Sequence, residues 1–160
     1  MTLPLEFFKA LNVLDQPYFY VLILPFIGLG WGWKVMARIA FILFVSHITN
    51  GILKELFHSP RPCQIDPSLG LIPIGGFGFP SGAAQTVVLC SALLLSYSRT
   101  VWTWGISIAY VSLVSYSRIY LGVHFPSDIL GGWLVGYLLY LFYKWLFDEF
   151  DKKNPLYPSI

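Results

Sequence analysis

Charged residues are scarce in this sequence. Its 160 residues include ten Lys or Arg and eight Asp or Glu, which together make up 11% of the chain. Soluble domains contain about 25% charged residues, so this chain has too few to cover a water-exposed surface. The scarcity excludes a soluble globular enzyme, a disordered chain and a nucleic-acid-binding protein. With a hydrophobic content of 56%, the class that is left is an integral membrane protein.

Cysteines and runs of basic residues are scarce as well. The two cysteines, Cys63 and Cys90, do not make a disulfide framework, and we expect neither to have a redox role. The net charge of +2 is not concentrated in one place, since Lys152 and Lys153 are the only adjacent cationic pair. The sequence therefore predicts no patch that would bind a polyanion.

Five segments are apolar for long enough to cross a bilayer. A spanning helix needs about 20 mostly apolar residues, and roughly 17 suffice. Residues 3–14 are too short to cross and mildly amphipathic, which predicts a helix that lies at the membrane interface. The predicted fold is an all-α, polytopic membrane helix bundle that forms one domain over residues 1–160. Its membrane helices are predicted at residues 17–33, 36–57, 82–98, 101–119 and 127–147.

The distribution of Lys and Arg predicts the orientation of the bundle. One side of the membrane holds Lys9 and three cations that are assigned to the site below, Lys54, Arg61 and Arg118. The opposite side is predicted to be cytoplasmic, because cytoplasmic loops carry an excess of Lys and Arg. Residues 58–81 and 119–127 then face away from the cytoplasm, which we expect to be the periplasmic side of a bacterial inner membrane. The cytoplasmic cations are Lys34, Arg38, Arg99, Lys144, Lys152 and Lys153.

The segment from His58 to Pro80 is the longest that is predicted to be non-helical. Its five prolines and four glycines exclude a long helix and favour turns. Most of its other residues are apolar, so we expect it to pack over the mouth of the bundle or to enter the headgroup layer. Long loops in compact domains are usually functional or disordered.

Three polar clusters flank the spans on this side: KELFHSPRP at 54–62, FPSGAAQ at 79–85 and SRIYLGVHFPSD at 117–128. In the second cluster, Ser81 is a good helix N-cap and Gly82 lets a ligand approach the backbone, which predicts an anion site at a helix N-terminus. In the third, Asp128 follows His124 by four residues and is expected to hold its imidazole ring.

Together the clusters have the chemistry of a phosphate site. Arginine side chains match phosphate oxygens bidentately, and lysine supplies a point charge. A histidine that is oriented by a carboxylate acts as a nucleophile or a base. Ionisable groups near membrane spans are energetically costly and usually functional. The expected cations are Lys54, Arg61 and Arg118.

The spacing of these residues resembles the type-2 phosphatidic acid phosphatase superfamily, membrane relatives of the vanadium haloperoxidases. The family pattern is a lysine, six residues and Arg-Pro; then Pro-Ser-Gly-His; then Ser-Arg, five residues, His, three residues and Asp. Lys54 and Arg61-Pro62 match the first block, and Pro80-Ser81-Gly82 matches most of the second. Ser117-Arg118, His124 and Asp128 match the third block in full.

The resemblance implies a role for each matching residue. His124 would attack phosphorus and form a phosphohistidine, and Asp128 would fix the tautomer of its ring. The phosphoryl oxygens would be held by the side chains of Lys54, Arg61 and Arg118 and by backbone N–H groups near Ser81 and Gly82. The resemblance implies no metal and no cofactor.

One position departs from the family pattern. Ala83 stands where the family has a histidine that protonates the leaving oxygen. The alanine is an engineered, inactivating change, or a natural one in a protein that binds without turnover, or its role is taken by another histidine such as His58. Because every other motif position is intact, the sequence favours the first explanation. His47, which shares a helical stripe with Asn50 and Lys54, is expected to bond a neighbouring helix rather than a substrate.

Three functions are compatible with these motifs. The first is a membrane lipid phosphatase that acts on a lipid phosphate or pyrophosphate. The second is a phosphotransferase of the same family, in which a lipid hydroxyl replaces water. The third is a non-catalytic lipid-phosphate-binding protein, which is favoured only if Ala83 is natural.

Overall fold

The structure is a computed structural model that describes residues 3–15 and 17–153, with side chains for residues 5–13 and 18–148. Helix makes up 81% of it, and the described residues contain no strand. A short helix, α1 (Leu3–Leu11), is followed by a 3-10 turn at Asn12–Asp15. The remaining helices are α2 (Pro17–Trp31), α3 (Trp33–Phe57), α4 (Pro62–Ile65), α5 (Gly82–Tyr97), α6 (Val101–Tyr120) and α7 (Pro126–Lys153).

The all-α fold predicted from the sequence is confirmed, with long helices at all five predicted positions. Two segments, 33–65 (α3 and α4 with the short non-helical link between them) and 126–148, meet the length and hydropathy expected of a membrane span, and 18–31 and 82–97 are shorter apolar helices. Many large apolar side chains point outward: Phe26, Leu29 and Val101 are 72%, 85% and 87% exposed. Such a surface is costly in water and suits lipid. The protein is a polytopic membrane helix bundle.

Helix α5 lies at the centre of the bundle, against α6 and α7. Its contact with α7 is close because Gly132 and Gly136 face the backbone of α5 at Ser81 and Gln85, where a Cβ atom would overlap a carbonyl oxygen. Small residues let membrane helices approach in this way. The Ser81 N–H also donates to the Asp128 carbonyl oxygen over 3.0 Å. The two helix N-termini that carry the second and third clusters are therefore held side by side.

The segment 58–81 contains no long helix, as predicted, but it is not entirely irregular. It forms α4 and a 3-10 turn at Pro67–Leu69, each of which begins with a proline. Proline is favourable at a first helical position, because its missing N–H would have no partner there. The Asp66 carboxylate accepts from the Ser68 hydroxyl over 2.7 Å and from the Ser68 N–H over 2.9 Å, and these two bonds cap the second turn and lower the Asp66 pKa.

This segment packs over the turn between α6 and α7. The Cys63 N–H donates to the Gly122 carbonyl oxygen over 3.2 Å, and the Leu71 N–H donates to the Leu121 carbonyl oxygen over 3.1 Å. Gly122 has a φ of +68°, and a Cβ there would overlap the Leu69 carbonyl oxygen. The predicted position of the segment over the bundle mouth is consistent with these contacts.

Helix α1 lies against the C-terminal half of α6. The Phe8 ring is 4.3 Å from the Tyr120 ring and 5.5 Å from the Tyr116 ring, between centroids. The predicted N-terminal helix is therefore present, and it lies at the end of α6 that carries Arg118. Its placement at a membrane interface remains a prediction.

Candidate active site

The three clusters predicted from the sequence meet at one cavity of about 520 Å³. Ser81 and Asp128 are fully buried beside this cavity, with 0% and 1% exposure. The structure thus brings together all eight residues that the sequence predicted. Those that line the cavity directly are Lys54, Arg61, Gly82, Ala83, Arg118 and His124.

His124 is held by a carboxylate on the first turn of α7. Its Nδ1 lies 3.2 Å from Asp128 Oδ2, which also accepts from the Phe125 N–H over 2.9 Å. The spacing of four residues and the start of α7 at Pro126 place the carboxylate behind the ring. Since an ionised carboxylate only accepts, Nδ1 carries the ring proton and Nε2 keeps its lone pair.

Burial lowers the pKa of His124 to about 4. The hydrogen bond to Asp128 opposes this shift, and the nearby charges of Arg61 and Lys54 add to it. The imidazole is therefore neutral near pH 7, with Nε2 available to attack an electrophile.

Arg61 faces Nε2, the ring nitrogen that Asp128 does not bind. Its Nη1 lies 3.1 Å from His124 Nε2 and donates to the Val123 carbonyl oxygen over 3.0 Å. Its Nε donates to the Gly76 carbonyl oxygen over 3.0 Å. The side chain is 2% exposed, so the backbone of two loops fixes the guanidinium beside the imidazole.

Arg118 is fixed from a different part of the chain. Its Nε donates to Ser117 Oγ over 3.2 Å, and its Nη1 donates to Asn12 Oδ1 over 2.6 Å. Asn12 follows α1, so the N-terminal segment orients a cation of the site. Nothing in the sequence pointed to Asn12, which is 106 residues from Arg118.

Ser81 caps α5 as predicted, because its Oγ accepts from the Ala84 N–H over 3.4 Å. The first turn of α5 begins at Gly82, on the cavity wall. Free N–H groups and the helix dipole make such an end favourable for a phosphate.

A buried amide network ties this turn to α3. Asn50 Nδ2 donates to the Pro80 carbonyl oxygen over 3.2 Å and to Gln85 Oε1 over 3.0 Å. Gln85 Nε2 donates to the carbonyl oxygen and to Oγ of Ser46, over 2.8 and 2.7 Å. Sequence reasoning missed this network, although polar residues within predicted spans are a signal that could have indicated it.

Position 83 offers no proton. Ala83 is 3% exposed, lines the cavity and packs against Val87 and Val114. His58, the alternative acid, lies outside the cavity lining: its side chain is 62% exposed, and its ring is 4.5 Å from that of Phe77. The structure gives no support to His58 as the acid.

The expectation for His47 was wrong. Its imidazole lines the cavity, and it has no hydrogen-bond or ring partner on a neighbouring helix among the residues that the structure describes. The reason is that His47 lies on the part of α3 that lines the cavity, whereas Asn50 on the same stripe both lines the cavity and bonds to Gln85 of α5. Part of the cavity wall is apolar and consists of Val21, Leu24, Leu43 and Phe44.

Comparison with known proteins identifies the family. The model of the PAP2 superfamily matches residues 35–152, which include all three clusters. The chain belongs to the PAP2 superfamily.

Curated and solved relatives agree with this assignment. An undecaprenyl-diphosphatase of Sulfolobus acidocaldarius is 43% identical over 98 residues, which are 59% of this chain and 47% of that protein. The chain spans about half the length of the curated relatives it matches.

Two crystal structures share the fold. Aquifex aeolicus LpxE is 26% identical with a TM-score of 0.80, covering 89% of this chain and 86% of that one. A PAP2-type phosphatidylglycerolphosphate phosphatase from Bacillus subtilis is also 26% identical, with a TM-score of 0.75 and coverages of 96% and 79%.

Proposed function

We propose that this protein is a membrane lipid phosphatase that removes phosphate from a lipid phosphate or diphosphate through a phosphohistidine at His124. One observation carries the proposal: His124 Nε2 and Arg61 Nη1 lie 3.1 Å apart at the wall of a cavity that is also lined by apolar side chains. The phosphate binds among the cations, and the lipid chain extends along the apolar wall.

The reaction has two steps. His124 Nε2 attacks phosphorus, an N–P bond forms, and the bond from phosphorus to the leaving oxygen breaks; with Ala83 in place, that oxygen leaves as an anion and takes its proton from water. Water then attacks the phosphohistidine, releases phosphate and restores the neutral ring. Asp128 stabilises the imidazolium character that develops at Nδ1.

The charge that builds up on the phosphoryl oxygens is stabilised by positioned donors. Lys54, Arg61 and Arg118 surround the cavity, and the N–H groups of the first turn of α5 complete the set. Donors that are in place before the reaction contribute to catalysis because they need no reorganisation.

Ala83 leaves the first step without a proton donor for the leaving oxygen. General acid catalysis contributes roughly 10²–10⁴-fold, so we propose that this chain is catalytically impaired. Ala83 also supports the second candidate, a protein that binds lipid phosphate without turnover. The codon for residue 83 in the source gene distinguishes an engineered change from a natural one.

The apolar part of the cavity wall and the names of the relatives support the proposed substrate class. One relative is named for undecaprenyl diphosphate and another for phosphatidylglycerolphosphate, both of them lipids. A phosphotransferase that uses a lipid hydroxyl instead of water has the same first step, and product analysis separates the two. We place the reaction on the extracytoplasmic side of the membrane, on the distribution of Lys and Arg described above.

The experiment is phosphate release from a lipid monophosphate in bilayer discs. The Ala83→His variant should release phosphate roughly 10²–10⁴-fold faster than the present chain. Adding His124→Ala to that variant should abolish the gain. A gain that survives His124→Ala would contradict His124 as the nucleophile. If neither the present chain nor its Ala83→His variant releases phosphate, the proposed function is contradicted.

A further inference from the structure

His47 is an imidazole inside a membrane helix that lines the cavity without a protein partner. It lies in the middle of α3, and the described residues offer it no hydrogen bond, ion pair or ring contact. A polar group at this depth is costly unless something satisfies it. His47 is exposed on the cavity wall, so a partner can reach it from the cavity.

The position of His47 along α3 identifies which part of a bound lipid it faces. His47, Asn50 and Lys54 lie on one stripe of the helix. At 1.5 Å per residue, His47 is roughly 10 Å and Asn50 roughly 6 Å deeper in the bundle than Lys54. With phosphate at Lys54 and the chain on the apolar wall, the two residues flank the atoms that join phosphate to chain.

The amide of Asn50 has a defined orientation. Its Nδ2 donates to the Pro80 carbonyl oxygen, which can only accept, and to Gln85 Oε1. Gln85 is fixed in turn because its Nε2 donates to the Ser46 carbonyl oxygen. Asn50 Oδ1 therefore faces Gly82 on the cavity wall, 3.0 Å from the point where a Cβ would lie. This oxygen is an acceptor.

We infer that His47 and Asn50 form a subsite for a hydroxyl group on the lipid, two or three bonds from the phosphoester oxygen. This inference rests on the proposed function, because the phosphate must be anchored among the cations. An imidazole nitrogen donates to the hydroxyl oxygen, and the hydroxyl donates to Asn50 Oδ1.

Two other occupants fit less well. A second phosphate would bring negative oxygens towards Asn50 Oδ1, which is an acceptor. The cations that line the cavity, Lys54, Arg61 and Arg118, are all assigned to the first phosphate. A plain isoprenoid chain has no group that would satisfy the imidazole. A hydroxyl both donates and accepts, so it matches one donor and one acceptor.

The test compares how tightly the unsubstituted protein, in bilayer discs, binds three lipid probes. The probes are 1-oleoyl-glycerol-3-phosphate, its analogue without the 2-hydroxyl, and geranylgeranyl diphosphate. The chain should bind the hydroxyl lipid roughly tenfold more tightly than the analogue. His47→Leu should abolish this preference, and His47→Gln, which keeps a donor, should retain most of it. His58→Leu, which changes a histidine outside the cavity, is the matched control and should leave the preference intact.

Equal binding of the hydroxyl lipid and its analogue would overturn the inference, as would a preference that survives His47→Leu. A loss of diphosphate binding in His47→Leu, with no change for the hydroxyl lipid, would assign the subsite to a second phosphate instead. If neither lipid binds measurably, the same ratio is read from kcat/KM of the Ala83→His variant. Phosphate release by that variant without a hydroxyl preference would overturn this inference alone, whereas absence of release would overturn the proposed function.

Discussion

Arg61 Nη1 lies 3.1 Å from His124 Nε2, the ring nitrogen that is not bonded to Asp128. Burial is the main cause of the low pKa of the His124 imidazole, and the guanidinium charge lowers it further, so the lone pair on Nε2 stays unprotonated. It also stands where a phosphoryl oxygen would bind next to the nucleophile. Under the proposed function, this contact would keep the nucleophile unprotonated and would position the phosphoryl group beside it.

The pH dependence of activity should reflect this arrangement. Because the pKa of His124 is about 4, its ring is neutral at all higher pH values and loses the nucleophilic lone pair only below. In the Ala83→His variant, the acid limb of kcat/KM should lie at about pH 4 rather than at the usual histidine value of about 6.5. A limb at or above pH 6.5 would contradict the assigned state of His124.

Labelling of introduced cysteines tests the orientation. In a background in which Cys63 and Cys90 are replaced by serine, Ser68→Cys should react with an impermeant thiol reagent in intact spheroplasts. Thr100→Cys, at the opposite end of the bundle, should react only after lysis. Both side chains are exposed, so access to the reagent is the only difference between them. The reverse pattern would place the site on the cytoplasmic side.

Chelation tests whether the cationic cluster is sufficient to bind phosphate. Phosphate release by the Ala83→His variant should persist in excess chelator, because Lys54, Arg61 and Arg118 supply the positive charge. The control is the same Ala83→His variant dialysed against buffer without chelator. Activity that is lost in chelator and restored by magnesium would indicate a different mechanism.

The effect of position 83 should depend on the leaving group. An alkoxide that leaves a phosphate monoester needs a proton more than a lipid monophosphate that leaves a diphosphate. The residual activity of the present chain should therefore favour diphosphates, and Ala83→His should raise monoester turnover by the larger factor. Equal rates for both proteins on both substrates would show that position 83 has no acid role.

Features that depend on local spacing were predictable from the sequence. The helix positions follow from the length of apolar segments, and the Ser81 cap follows from residue type. The pairing of His124 with Asp128 follows from a separation of four residues at the start of a helix. Each of these is decided by neighbours in sequence, so no knowledge of packing was needed.

Features that depend on packing were not predictable. The bond between Asn12 and Arg118 joins residues 106 positions apart, and its formation depends on how α1 lies on α6. The cavity-facing position of His47 depends in the same way on which helices pack against α3. A helical stripe shows that residues share a face, but it does not show what that face meets.

The most direct test of the account is to find phosphate bound to residue 124. The Ala83→His variant, mixed with a radiolabelled lipid monophosphate and quenched rapidly in alkali, should carry a base-stable, acid-labile label on the peptide that contains His124. The same variant with His124→Ala should carry none, because it lacks the attacking nitrogen. Label on another residue, or undiminished phosphate release by the double variant, would contradict catalysis through His124.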